Sequence, residues 1–450
     1  MRDLTRGNIY KTFFLFGFPL VIAGLFGQLH GTINTAIAGH FLGSDGLAAI
    51  GATAPLITFV SSIFWGYSGG YSVYIARLFG AGHYQKIKDS IISNLLILFG
   101  LSIAVASLFL LFNGPIFDLL QVKDSIRNEA FAYFAIYIAG IFPIVCNAIF
   151  SHLITAFGIG TFPLFASILS SLLTIGGNLI CVAWLGLGVG SLAFSTLIAA
   201  LAVDVAYILK FRKCFDEMGI PKGKPHVSFF YVKDALAYSL PNMAQQMTMY
   251  FAGFLISPLV NGIGTAATAG YTILNRIYDI IASVYQNSAR ALSNFAAQCL
   301  GKNELHKVRR GVRAGVLQGV LFITPFVLVC VLFPQEICSL FFDAKTSLLA
   351  RAYATRFVKF FLPLIFFQVI CNLFHALYRG VKALRFLYLT TCFAAVVRLA
   401  ASALLIPFLG MNGFFAGWVI SWIAEAILTL VIYLFGWWMP KEMKAEPESA

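Results

Sequence analysis

The sequence predicts an all-α polytopic membrane protein, with twelve transmembrane helices forming two similar six-helix halves. Three observations carry this prediction. Of 450 residues, 60% are hydrophobic and 11% charged, with a mean hydropathy of +0.86. A water-soluble chain of this length cannot hide so much apolar surface, so its solvent is lipid. Twelve apolar stretches follow one another, at about 12–38, 47–76, 90–112, 130–157, 162–184, 188–210, 232–259, 265–297, 312–333, 350–378, 384–407 and 412–437. Each reaches the roughly 20 helical residues that cross a hydrocarbon core. Finally, the chain repeats itself. Ala76–Lys88, ARLFGAGHYQKIK, returns 221 positions later as Ala297–Arg309, AQCLGKNELHKVR. At similar offsets, Leu42-Gly43-Ser44 returns as Ile263-Gly264-Thr265, Leu187-Gly188 as Leu409-Gly410, and Pro19 as Pro241. One offset held along most of a chain is the mark of a duplicated unit, a common way to build transporters. The halves read as 1–210 and 234–450, joined by a Lys-, Pro- and Gly-rich linker at 211–233.

Charge placement sets the topology. The connections on the side of both termini hold 22 of the 31 Lys and Arg residues, and the opposite connections hold 4. That asymmetry places both termini in the cytoplasm. It also accounts for the net charge of +13 without a nucleic-acid partner. No cleavable signal peptide is evident, so the first span reads as an uncleaved anchor. The eight cysteines show no CxxC or metal-ligand spacing and read as small apolar filler. The expected location is the plasma membrane.

Along the chain, the first span holds Pro19, a candidate bending point, and a polar outer half with Gln28, His30, Thr32, Asn34 and Thr35. His30 and Asn34, four apart, share a face. In hydrocarbon that face must turn toward other helices or a wet cavity. The fourth span carries Pro143, Asn147 and His152, the fifth Asn178, and the sixth Thr196 and Asp204. The second half opens on Pro241, Asn242, Gln245 and Gln246, echoing the polar first span. In the eighth span Tyr271, Asn275, Tyr278 and Tyr285 form one helical stripe, with Arg276 and Asp279 beside it. Arg398 lies in the eleventh span and Glu425 in the twelfth.

Charges inside apolar spans are the strongest functional signal, since each costs about 2.5–3.5 kcal/mol to insert. Asp204 and Glu425 occupy equivalent places in the two halves, 221 apart. They read either as a pair of proton or cation sites or as partners in structural ion pairs, Arg398 then serving Glu425. Arg276 and Asp279, at i and i+3, suit a local salt bridge. His152 and His375 also correspond, and histidine titrates near neutral pH. The tyrosine stripe either stacks an organic cation or simply packs. No Walker loop, HExxH, GxSxG or dinucleotide fingerprint occurs in a plausible setting, which argues against an enzyme or an ATP-driven pump. Nor is there a filter-like loop. An ion-driven secondary transporter remains.

The chain resembles the multidrug and toxic compound extrusion (MATE) family, on its prokaryotic DinF-like or NorM-like side. Phe18-Pro19-Leu20, INTAIAGHFLGSDGLAAIGATAPL (33–56), ARLFGAG (76–82), AATAGYTILNRI (266–277), VVRLAASALLIP (396–407) and LGMNGFFAGWVISWIAEAI (409–427) carry the resemblance. It implies two lobes related by a pseudo-two-fold axis along the membrane normal, and a central cavity that faces alternate sides. It further implies export of small amphipathic organic cations against inward H⁺ or Na⁺, with no other cofactor, by a monomer. This sequence departs from the family pattern in having Asn34 and Val182 where acids are usual, while Asn178 and Thr196 are kept. Either coupling rests on Asp204, Asp279 or Glu425, which is the favoured expectation, or the chain is a divergent member with another cargo. Gln245, Asn275, Tyr278 and Arg398 complete the expected C-lobe site, and Pro19 and Pro241 are the expected hinges. A flippase for a lipid-linked or amphipathic anionic precursor, drawing on Arg276, Arg290 and Arg398, is the alternative reading.

Overall fold

The computed structural model describes residues 1–119, 122–221, 223–342 and 347–440. Lys222, Lys345, Lys441 and Lys444, counted in the charge asymmetry, lie outside them. Among the described residues every regular element is helical. In chain order they are α1 (Ile9–Phe41), α2 (Gly43–Gly80), α3 (Tyr84–Leu111), α4 (Asn113–Leu119), α5 (Asp124–Ala139), α6 (Ile141–Ala156), α7 (Thr161–Asn178) and α8 (Gly190–Glu217). The second half runs α9 (Phe229–Asn261), α10 (Thr265–Lys302), α11 (His306–Leu332), α12 (Pro334–Ser339), α13 (Leu348–Arg356), α14 (Ile365–Gly380), α15 (Leu384–Leu409) and α16 (Met411–Leu434).

Among the described residues, nine single spans, with the bent pair α5–α6 as a tenth, are long and apolar enough to cross a membrane. The helices α9 and α10 complete the twelve. They are longer than a bilayer requires and are diluted by the polar residues that make them interesting. Outward-facing side chains are what lipid favours and water does not: Trp184 is 82% exposed, Phe408 83% and Leu111 78%.

The duplication is visible in local geometry. The sequence repeat at 76–88 and 297–309 folds both times as a helix end, a three-residue turn and a new helix. Gly82 (φ +72°) and Asn303 (φ +60°) supply the left-handed residue that reverses the chain. Glycine and asparagine tolerate that conformation best. Likewise Gly43 (φ +69°) and Gly264 (φ +131°) precede or open the long second helix of each half. The fourth span of each half is broken rather than straight. In the first half, α5 and α6 bend by 53° at Gly140, with Pro143 in the next turn. In the second, a π-type turn over Phe357–Phe361 and a 3₁₀ turn over Leu362–Leu364 surround Pro363. Proline lacks the N–H that would continue the helix, which is why both breaks fall there.

Two compact units emerge: Met1–Asp3 with Ile22–Met243, and Leu4–Val21 with Ala244–Ala450. The helix α1 passes from the second unit to the first just after Pro19, and α9 passes from the first to the second just after Pro241.

Within the first unit, the first half of α9 packs on the glycine face of α2. The side chain of Asn242 donates from Nδ2 to the Gly66 carbonyl (2.6 Å), Arg77 Nη1 donates to the Tyr238 hydroxyl (2.6 Å), and Tyr74 OH donates to Asp234 Oδ2 (3.2 Å). A Cβ at Gly70 would sit 2.5 Å from Ser239 Cα, so only glycine permits this approach. Within the second unit, the first half of α1 packs similarly. Phe13 meets Phe295 edge-on at 5.1 Å, and Gln318 Nε2 donates to the Phe13 carbonyl (2.8 Å).

Candidate functional site

In the first unit the polar residues of α1 and α7 meet. Asn34 Nδ2 lies 2.8 Å from His30 Nε2, and Asn178 Nδ2 donates to Asn34 Oδ1 at 2.8 Å. The i, i+4 face inferred for α1 is therefore real, and its partner is the last residue of α7. Asn178 is fully buried, with its Oδ1 unpartnered. An asparagine at each position gives a neutral chain of amides ending on an imidazole. Thr196 does not join it, since its hydroxyl donates to the Leu192 carbonyl of its own helix (2.9 Å). Asp204, on α8, stands apart. It is 7% exposed, its Oδ1 is buried without a hydrogen-bond partner, and it makes no ion pair among the described residues.

The second unit holds a denser cluster, built from α9, α14, α15 and α16. His375 Nε2 is 3.3 Å from Glu425 Oε1 and 2.9 Å from Thr390 Oγ1, while Gln245 Nε2 is 3.1 Å from Nδ1. The side chains of His375 and Glu425 are 4% and 5% exposed. With the Gln245 amide in this orientation its N–H₂ donates to Nδ1, an arrangement that goes with the tautomer protonated at Nε2. That proton is shared between Glu425 and Thr390, whose own hydroxyl already donates to the Phe386 carbonyl (2.8 Å). Gln245 Oε1 is buried without a partner. Rotating the amide would present it to an Nδ1–H, so the ring has an acceptor in reach on either nitrogen.

Repeat arithmetic brought Glu425 and His375 into view separately, and their contact was not foreseen. The ion pair between Arg398 and Glu425 that the sequence offered does not form. Arg398 instead lies over the ring of Trp418, 4.2 Å from its centroid. Trp418 precedes Glu425 by seven residues, about 10 Å along the helix, so the guanidinium and the carboxylate occupy different turns. Arg276 and Asp279 are exposed and make no ion pair among the described residues. An exposed pair gains too little to hold two side chains together.

The tyrosine stripe packs against α16. Tyr271 meets Phe414 (5.2 Å) and Trp418 (6.3 Å), and Tyr278 meets Trp418 (5.1 Å) and Trp422 (6.0 Å). Tyr278 and Tyr285 share a hydrogen bond of 2.8 Å between hydroxyls. Asn275, on the same stripe, is half-buried. The two tryptophans were missed in the sequence. Their four-residue spacing, three residues ahead of Glu425, was the available signal.

Comparison with known proteins places this geometry. The family model described as MatE matches twice, over residues 19–180 and 241–404, opening on Pro19 and on Pro241. The chain belongs to the MATE family. Both matched segments fall in the repeat read from the sequence, so the duplication is a property of the family pattern itself. Among Bacillus subtilis (strain 168) proteins, the probable multidrug resistance protein YpnP is 21% identical over 99% of both chains. The probable multidrug resistance protein YoeA is 21% identical over 76% of both. A solved structure described as the outward-facing conformation of a multidrug resistance MATE family transporter of the MOP superfamily superposes with a TM-score of 0.89. It is 20% identical and covers 96% of this chain and 97% of its own. The fold class expected from composition and repeat, twelve transmembrane helices in two MATE-like lobes, is therefore the fold found, and the chain is a multi-pass membrane transporter by family.

Proposed function

We propose that this MATE family member is a secondary active exporter of small amphipathic organic compounds, working by alternating access and driven by ion antiport. The observation that carries the proposal is the buried His375–Glu425 contact at 3.3 Å. A carboxylate and an imidazole excluded from water and in hydrogen-bond reach form a proton-binding unit. Their retention within an apolar span, at an insertion cost of a few kcal/mol, is easiest to understand if they serve the coupling step. H⁺ is the favoured ion, because hard cations prefer a cage of oxygens to an imidazole nitrogen. Uptake of a proton stabilises whichever access state binds it better, and only that difference moves the equilibrium. Asp204, the equivalent acid of the first half, is the second candidate for coupling. In this reading both termini face the cytoplasm of a bacterial plasma membrane, and the working unit is a monomer.

The test is flux in reconstituted vesicles. Load them with a fluorescent organic compound, impose separate H⁺ and Na⁺ gradients, and compare wild type with Asp204→Asn and Glu425→Gln. Acid-driven flux is expected in the wild type and is expected to be lost in Glu425→Gln. Flux indifferent to both gradients would refute antiport.

A further inference from the structure

The residue that the coupling reading leaves unused is Arg398. It sits near mid-depth of α15, fourteen residues after Leu384 and eleven before Leu409, roughly 21 Å and 17 Å from the helix ends. A guanidinium at that depth ordinarily has a carboxylate opposite it. Here none comes within ion-pair distance among the described residues. Glu425 is engaged by His375, and Asp279 is exposed on α10. The Nε of Arg398 is completely shielded from solvent and makes no hydrogen bond. Its contact is the face of Trp418, at 4.2 Å. A ring face balances the positive charge but accepts only weakly from the N–H fork, so the donors remain directed at nothing.

Around this fork the side chains are aromatic. Trp418 is flanked by Tyr271, Tyr278, Phe414 and Trp422, at centroid distances of 5.1 to 6.3 Å. Two of them, Tyr271 and Tyr278, remain partly accessible, as does Arg398. The arrangement combines a planar double donor with flat apolar faces beside it.

We propose that Arg398 and these rings form a recognition site for an oxyanionic group, carboxylate, sulfonate or phosphate, borne on an aromatic or apolar molecule. The inference rests on the export reading and names its cargo class: acidic or zwitterionic amphiphiles in addition to, or in place of, simple cations. Guanidinium pairs with such groups through two parallel hydrogen bonds, and the indole under Cζ restrains the side chain beside the apolar faces. The headgroup of a bilayer lipid bears the same chemistry but lies a leaflet's thickness away from mid-depth. The anion is therefore brought in by a soluble or membrane-dissolved cargo.

The test is equilibrium binding to the purified full chain in phosphatidylcholine nanodiscs, read by fluorescein anisotropy. Fluorescein is expected to bind saturably and to be displaced by naphthalene-2-carboxylate about tenfold more strongly than by the similarly shaped naphthalen-2-ylmethylammonium. Arg398→Gln is expected to weaken fluorescein binding at least tenfold, about the worth of one charge-assisted contact. Arg398→Lys, which keeps charge but loses the fork, is expected to fall between. Absence of saturable binding, equal competition by the cation, or an unchanged Arg398→Gln would each overturn the site. The competition series uses the wild type alone, so it decides the matter even if the variant does not fold. Repeating the titration with phosphatidylglycerol in the nanodisc separates the sources, since competition by that lipid would assign the site to a headgroup and overturn the cargo inference. Binding that follows the expected pattern in a protein that drives no flux would refute export while leaving the site in place.

Discussion

Glu425→Gln keeps the size of the side chain and one acceptor oxygen but removes the group able to exchange a proton with His375. At 3.3 Å, a charged Glu–His pair attracts with about 5 kcal/mol at an effective dielectric near 20. Desolvation costs several kcal/mol for each ion, so this attraction alone does not keep the buried pair ionised. A coupling site needs a proton that is not held too firmly to leave. In the variant, the amide oxygen still accepts from Nε2–H, so stability is expected to fall by only about 1 kcal/mol. Coupling is expected to vanish. A gradient of one pH unit stores about 1.4 kcal/mol per proton, enough for about tenfold accumulation of cargo, and the variant should show no accumulation beyond that seen without a gradient. The assay is dye flux in reconstituted vesicles across imposed pH steps, with a thermal melt to check the fold. His375→Asn is expected to give the same loss, and the double variant no more, since one site is lost either way. Tenfold accumulation per pH unit in Glu425→Gln, or flux losses that simply multiply in the double variant, would refute the coupling role of the pair.

Other expectations follow from the same geometry. Gly70→Ala is expected to lower stability by about 1–3 kcal/mol in a thermal melt, because its Cβ would meet backbone atoms of Tyr238 and Ser239 at 2.5 Å. Gly100→Ala, with nothing within 4 Å, serves as the unstrained control and is expected to keep or slightly raise stability. Asn178→Ala removes the 2.8 Å hydrogen bond to Asn34 inside a buried site, and a melt should record a loss of about 1–3 kcal/mol. The carboxyl of Glu304, in the turn after α10, is raised by burial but more strongly lowered by Lys307 (3.0 Å away), Thr5 and Lys302, so it lies below its ordinary 4.5. A depressed carboxyl stabilises the fold above its unfolded value and ceases to do so as pH falls through its folded value. Melting wild type and Glu304→Gln across an acid series should therefore show a gap at neutral pH that closes on acidification.

Much of the architecture was legible because it depends on quantities that sum along a chain. Hydropathy over a window sets the spans, and a constant offset sets the duplication. Asn34 and His30 were placed on one face by helical spacing alone. The turn chemistry was readable too, since Gly82 and Asn303 are the residue types that accept positive φ. The breaks at Gly140 and around Pro363 were foreshadowed only by the prolines. Which turn actually opens is settled by packing.

Partnership was not legible. Helical periodicity says which residues share a face, but the rotation of each helix against its neighbours decides what that face meets. Glu425 had one candidate partner in the sequence, Arg398. The turn-by-turn placement of α14, α15 and α16 gave it His375 and left Arg398 to Trp418. By itself the sequence determined a lipid-embedded, twice-repeated helical chain with ionisable groups buried in it. Only the tertiary structure decided which of those groups can share a proton and which lacks a partner, because contacts of 3 to 4 Å between distant segments depend on helix rotation that no local pattern encodes.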